Sequence, residues 1–301
     1  MRIAITGKDG QLGWELCRAM APLGETIAFS RAELDLAKPD KVRGVVRDLR
    51  PDLIVNAAAY TQVDKAEEEV ALAEAINALA PGILAEEAKR LGARLIHYST
   101  DYVFDGLKRH PYQETDASLP INYYGRSKLA GEQAVAAVGG SHLILRTSWI
   151  YGARGRNFML TILNLAHQRQ ELRVVSDQLG VPNWSRAIAE TTGRIAARWN
   201  SRTRESVAEV SGVFHLSAVG ETNWFEFART IIDEHRRIGG KQASAHLALE
   251  RIVPITTSEY PTAAARPRYS VLSSRKLSEV FAIEPGDWRE QLALALQDSS
   301  A

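Results

Sequence analysis

Short apolar runs alternating with longer amphipathic stretches constrain this chain more than any other feature. RIAIT (2–6), TIAF (26–29), LIVNAA (53–58), RLIHYS (94–99) and HLILRTS (142–148) read as buried strands. Between them lie helical patterns over 11–21, 39–49, 67–91 and 123–138, the last stopped by Gly139 and Gly140. Parallel strands need crossovers of this length, so the expected fold is α/β, a Rossmann-type doubly wound parallel sheet with helices on both faces. After about residue 150 the regularity fades. SWIYGARGRNF, SDQLGVPNWS and SEYPTAAARPRYS are loop-like and interrupt helices expected near 157–170, 185–199, 223–238 and 286–297. The expected division is a dinucleotide-binding domain over 1–150 and a smaller C-terminal substrate domain over 151–301, interleaved with the last strands of the sheet.

The stretch RIAITGKDGQLGWEL sets Gly7, Gly10 and Gly13 directly after the first strand and at the opening of a helix. The strand must turn sharply, the backbone must approach a pyrophosphate, and the helix must pack closely on the strand; each task suits a residue without Cβ. The helix N-terminus then offers free N–H groups and a positive dipole end to phosphates. After the second strand, AFSRAELDL puts Ser30 and Arg31 where an NAD site carries an acidic residue, and a hydroxyl with a cation suits a 2′-phosphate. Glu33 and Asp35 lie close by, so NADPH is the expected cofactor and NADH stays open beside it.

Ser99, Thr100 and Asp101 follow the fourth strand at its C-terminal end, where open α/β sheets bind ligands. One connection later, YYGRSK places Tyr124 and Lys128 four apart on one helix face. With a dinucleotide in the same crevice, this set suffices for carbonyl reduction: the phenol donates a proton as hydride arrives, and a hydroxyl holds the oxygen. Lys128 and an oxidised nicotinamide would both favour phenolate, so a lowered phenol pKa is expected.

Composition removes other classes. A net charge of +1 gives no reason to expect nucleic acid or an anionic membrane surface as partner. No apolar stretch approaches a membrane span, and the opening MRIAITG lacks the long apolar region of a signal peptide, so a cytoplasmic protein is expected. The single cysteine, Cys17, fits a reducing compartment and reads as a buried, inert thiol. The seven histidines form no metal motif, and DKAEEEVALAE (64–74) reads as a solvated helix face.

On these motifs the chain resembles the extended short-chain dehydrogenase/reductase family, which works largely on nucleotide-linked sugars. Within it the likeness is greatest to reductases of a dTDP-linked 4-keto-6-deoxy sugar. It runs in order through GKDGQLGWEL, RPDLIVNAAAYTQVDKAE, HYSTDYVFDG, YGRSKLAGE, LRTSWIYG, SDQLGVP, YPTAAARP and SRKL. The resemblance implies cofactor contact at Gly10, Gln11, Leu12, Ser30, Asp35, Leu36, Ala59, Tyr60, Thr61, Tyr124 and Lys128, and sugar-nucleotide contact at Thr100, Asp101 and Trp149. Some relatives dimerise through a carboxylate-bound Mg²⁺. Glu15 matches one such glutamate, but Arg186 stands where another would be, so Mg²⁺ and that dimer do not carry over, and monomer and homodimer both stay open. Dehydratases of the family need an Asp-Glu pair after the threonine; here Thr100 is followed by Asp101 and Tyr102, which suits simple hydride transfer. Epimerases retain their cofactor. A non-catalytic rival resembles the NADP-binding beta subunit of methionine adenosyltransferase, against which the intact Thr100, Tyr124 and Lys128 speak.

Overall fold

The computed structural model describes residues 1–201 and 210–299, with the backbone alone over 241–245. Five strands, β1 (Arg2–Thr6), β2 (Glu25–Phe29), β3 (Leu53–Asn56), β4 (Arg94–Thr100) and β5 (His142–Thr147), form a parallel sheet. A sixth strand that the periodicity does not announce, β6 (Gly212–His215), adds in parallel beside β5. The order across the sheet is β6-β5-β4-β3-β1-β2. The chain steps from β1 one way to β2 and the other way to β3, so the crevice of such a sheet opens beyond the ends of β1 and β3.

Side chains along a strand point alternately to the two faces, and here both are covered. Ile3, Ile5, Val55, Ile96 and Leu143 pack with Leu16 of α1 (Gln11–Met20) and with Ile188 and Trp199 of α7 (Ser185–Asn200). Ala4, Ile54, Leu95 and Ile144 pack instead with Val42 of α2 (Pro39–Leu49) and Ile83 of α4 (Ala80–Leu91). Burying such a side chain contributes about 1.5–3 kcal/mol, which is why these strands read as continuous apolar runs.

The expected helix over 67–91 begins at Val70 and has three parts: α3 (Val70–Glu74), a π-helical stretch (Ala75–Leu79) and α4. The π stretch turns Asn77 toward the segment after β3, where its side chain accepts from the Tyr60 N–H (2.8 Å) and donates to the Tyr60 carbonyl (3.0 Å). α5 (Tyr123–Val138) spans the expected residues. Beyond β5 a third core gathers Phe104, Tyr151, Met159, Phe227 and Trp288, with α6 (Phe158–Ala166), α8 (Trp224–Ala245) and α10 (Trp288–Ser299) around it, while α9 (Arg275–Phe281) packs on the sheet. Among the described residues no helix is long and apolar enough to cross a membrane.

Candidate active site

A cleft of about 860 Å³ runs along the C-terminal ends of β1, β3, β4 and β5. Every residue expected at the site from the sequence lines it except Ser30. At the end of β1 the backbone turns through Gly7 with φ +78°, and a Cβ on Gly13 would lie 1.9 Å from the Gly7 carbonyl oxygen, so α1 can start this close to the strand only with glycine there. No side chain caps the α1 N-terminus at Gly10, which leaves its first N–H groups for a ligand in the cleft.

At the end of β2, Ser30 is turned inward on its own loop. The Ser30 N–H donates to the Glu33 carboxylate (2.7 Å), and Ser30 Oγ accepts from the Glu33 N–H (3.3 Å). Lys8 pairs with the same carboxylate at 2.6 Å, and these bonds hold Glu33 down to about 2. Glu33 is thereby engaged locally, whereas Arg31 stands exposed on the cleft wall with no ion pair among the described residues.

The start of α5 is fixed from three sides. Asn122 Oδ1 accepts from the Gly125 N–H (2.8 Å), and Glu67 Oε1 accepts from the Tyr123 N–H (2.8 Å). Gly125 packs so tightly that a Cβ would come 2.1 Å from the Tyr102 carbonyl oxygen. Tyr124 projects into the cleft with its ring edge-on to Tyr102 (5.6 Å between centroids). Burial pushes its phenol up to about 12, with the nearby Thr100 hydroxyl opposing in part. This is opposite to the expected direction. Burial is the reason, and the Lys128 ammonium beside it, whose Nζ donates to the Tyr98 carbonyl (2.6 Å) and stands 3.5 Å from His97 Nε2, does not offset it. Burial draws Lys128 itself down to about 8, against the opposing charge of Glu132. A raised phenol keeps its proton at neutral pH, the state a proton donor needs. Asp101, 1% exposed, is bonded to Thr100 Oγ1 (3.0 Å) and pushed up to about 6 by burial.

Trp149 adopts φ +42°, a left-handed conformation uncommon for a bulky residue, and such outliers collect at functional sites. Its indole stacks on Trp224 at 3.5 Å and lies over Gly180, where a Cβ would sit 2.6 Å from the ring. The run 64–74 is more than a solvated face: Asp64 pairs with Arg266 (2.8 Å) and Glu69 accepts from the Tyr60 hydroxyl (2.8 Å), besides the Glu67 bond to α5. The charges are spent on joining segments around the cleft. Asn56 and His97 were passed over in the sequence, although each is a polar residue inside an apolar run, LIVN and RLIH.

The residues at the point where the resemblance implies a metal do not fit one. The Arg186 guanidinium lies 3.2 Å from Glu15 and 2.7 Å from Asp298, so a positive charge already occupies the space between the carboxylates. Among the described residues no group of three or more His, Cys, Asp or Glu could hold a metal.

The model of the RmlD substrate binding domain matches residues 1–301. The chain is 48% identical over 298 residues to the dTDP-4-dehydrorhamnose reductase of Burkholderia thailandensis, with 99% of each protein covered. It is 44% identical to the enzyme of that name from Escherichia coli K12, covering 96% of this chain and 95% of that one. A crystal structure of the reductase from Bacillus anthracis in complex with NADP superposes with a TM-score of 0.88 at 34% identity, covering 99% of both chains. A UDP-glucose 4-epimerase from Thermus thermophilus, 17% identical over 100% of this chain and 99% of that one, shares the fold with a TM-score of 0.76.

Proposed function

This chain belongs to the RmlD substrate binding domain family, and we propose that it reduces the 4-keto group of dTDP-4-dehydro-β-L-rhamnose with NADPH to give dTDP-β-L-rhamnose. The observation that carries the reading is the meeting of Thr100, Tyr124 and Lys128 in the same cleft as the glycine turn. When bound, the cofactor supplies the hydride. Tyr124 donates its phenolic proton to the carbonyl oxygen as charge develops there, and the Thr100 hydroxyl bonds to that oxygen. Gly7, Gly10, Gln11, Leu12 and Gly13 would hold the pyrophosphate, and Asp35, Leu36, Ala59, Tyr60 and Thr61 the adenosine half. Lys128, with one N–H given to Tyr98, has further ammonium N–H groups for the nicotinamide ribose. In this reading residues 1–150 carry the cofactor and 151–301 mainly the sugar nucleotide, in a cytoplasmic enzyme. Mixing the protein with NADPH and the keto sugar tests it: nicotinamide absorbance should disappear. Tight NADPH binding without consumption would instead support a non-catalytic subunit.

Two substitutions probe the cofactor and sugar ends. Arg31→Ala should raise KM for NADPH roughly 3–10-fold, the worth of an exposed ion pair with the 2′-phosphate, and leave NADH nearly unchanged. Equal changes for both cofactors would take Arg31 away from the phosphate. Trp149→Ala should raise KM for the keto sugar about tenfold through loss of an aromatic face, with KM for NADPH little altered. A variant whose two KM values move together would show that the Trp149–Trp224 stack only braces the fold.

A further inference from the structure

Thr6, Asn56 and His97 stand side by side on β1, β3 and β4, in the register Thr6↔Asn56 and Asn56↔His97, and none is more than 2% exposed. They continue the face that holds Ala4, Ile54 and Leu95, where an unsatisfied polar group is costly. Their bonds run in one direction. The Ala58 N–H donates to Thr6 Oγ1 (3.1 Å), and the Thr6 hydroxyl donates to Asn56 Oδ1 (2.6 Å), an amide oxygen that can only accept. That orients the Asn56 amide with Nδ2 toward His97, where it donates to Nδ1 (3.0 Å). A neutral imidazole carries one N–H, and the nitrogen that accepts cannot bear it. Burial, with the Lys128 charge adding to it, keeps the ring neutral by drawing its pKa well below the ordinary histidine value. The His97 proton therefore sits on Nε2, which faces Lys128 Nζ at 3.5 Å.

We propose that His97 is a positioning residue for the reaction: its fixed Nε2–H stabilises the neutral amine that Lys128 becomes each time it returns a proton to Tyr124. The inference rests on the reductase reading of the cleft. In a turnover the phenolic O–H bond of Tyr124 breaks and the O–H bond of the product alcohol forms. Lys128, one helical turn on, restores the phenol by giving up an ammonium proton, and the amine then takes one from solvent. An amine lone pair can accept the His97 N–H, whereas an ammonium meets it as an opposing dipole. The other groups facing Lys128 are the Tyr98 carbonyl on β4, Tyr124 on its own helix, and Glu132, whose charge favours the ammonium but is itself paired with Arg146 of β5.

Nitrogen-15 NMR of histidine-labelled protein reads this wiring directly. A neutral His97 ring with its proton on Nε2 is expected throughout the neutral range. A proton on Nδ1, or a ring that titrates there, would overturn the proposal whether or not the protein reduces the sugar. Kinetics give the second reading. Turnover should fall as pH rises through about 8, where Lys128 loses its proton. Asn56→Asp offers only acceptors, moves the ring proton to Nδ1 and turns a lone pair on Lys128, so this limb should move up by about one pH unit with KM for NADPH within about twofold. His97→Phe should move it the same way. Limbs that stay in place in both variants would overturn the role assigned to His97.

Discussion

Replacing Tyr124 by phenylalanine is expected to lower turnover about 10²–10⁴-fold, the usual worth of a positioned proton donor, while KM for NADPH changes little. The ring keeps its edge-on contact with Tyr102, and the start of α5 is held by Asn122, Glu67 and Gly125 rather than by the hydroxyl. What is lost is the only atom of Tyr124 that can carry a proton. Thr100 can still hydrogen-bond to the carbonyl oxygen, and bound hydride donor can still face the keto carbon, so a residual rate should remain. Single-turnover measurements with NADPH and the keto sugar give the number directly, and a variant within a few-fold of the native enzyme would remove Tyr124 from the proton transfer.

The pH dependence separates the phenol from the amine beside it. A phenol raised to about 12 keeps its proton from neutral into alkaline solution, so the donor form is not lost until pH climbs to that region. Lys128 is shifted the other way, to about 8, and sheds its proton as pH rises through that value. A fall in turnover near pH 8 is therefore assigned to the amine, and it should persist, at much reduced rate, in Tyr124→Phe only if the amine also acts through the ribose it would hold.

The two shifts also mark where the sequence stopped being readable. The strands, the glycine turn and the Tyr124–Lys128 spacing are local patterns: apolar runs of fixed length, residues without Cβ at a turn, two side chains on one helix face. The direction of the Tyr124 shift is not local. It depends on how deeply the phenol is buried in the folded cleft, while Lys128 turns to the Tyr98 carbonyl and His97 on a strand some thirty positions away in a row fixed by sheet register. Ser30 is tied to its own loop by Glu33, three residues on, which takes its backbone N–H and gives an N–H to its hydroxyl oxygen. β6 is only GVFH, too short to stand out as a strand, and becomes one because β5 would otherwise present an open edge. The left-handed backbone at Trp149 likewise has no composition signal, since glycine or asparagine is the residue that usually announces it.

The largest loss of stability is expected from breaking the ion pair beneath α5. Arg146, near the end of β5, donates from Nε to Glu132 Oε1 (2.9 Å) and from Nη2 to Oε2 (2.6 Å), and both side chains are only 5% exposed. Its guanidinium also lies over the Phe104 ring at 5.0 Å, and Nη2 donates to Ser118 Oγ (3.0 Å). Arg146→Met would leave the Glu132 carboxylate buried without its partner, and unfolding free energy should fall by about 3–5 kcal/mol. The double substitution Arg146→Met with Glu132→Leu removes both charges, and most of that loss should return, because a buried pair is repaid only against its own desolvation. Urea titration of the single and double variants measures both changes, and a single variant within about 1 kcal/mol of the native chain would mean that Glu132 finds water when Arg146 is gone. Stability and activity should then part company in the double variant. The Glu132 charge favours the Lys128 ammonium, so with leucine in its place the alkaline limb of turnover should move to lower pH although the fold is restored. A double variant that regains stability and keeps its limb near pH 8 would show that Glu132 holds α5 to the sheet and has no hold on the Lys128 proton.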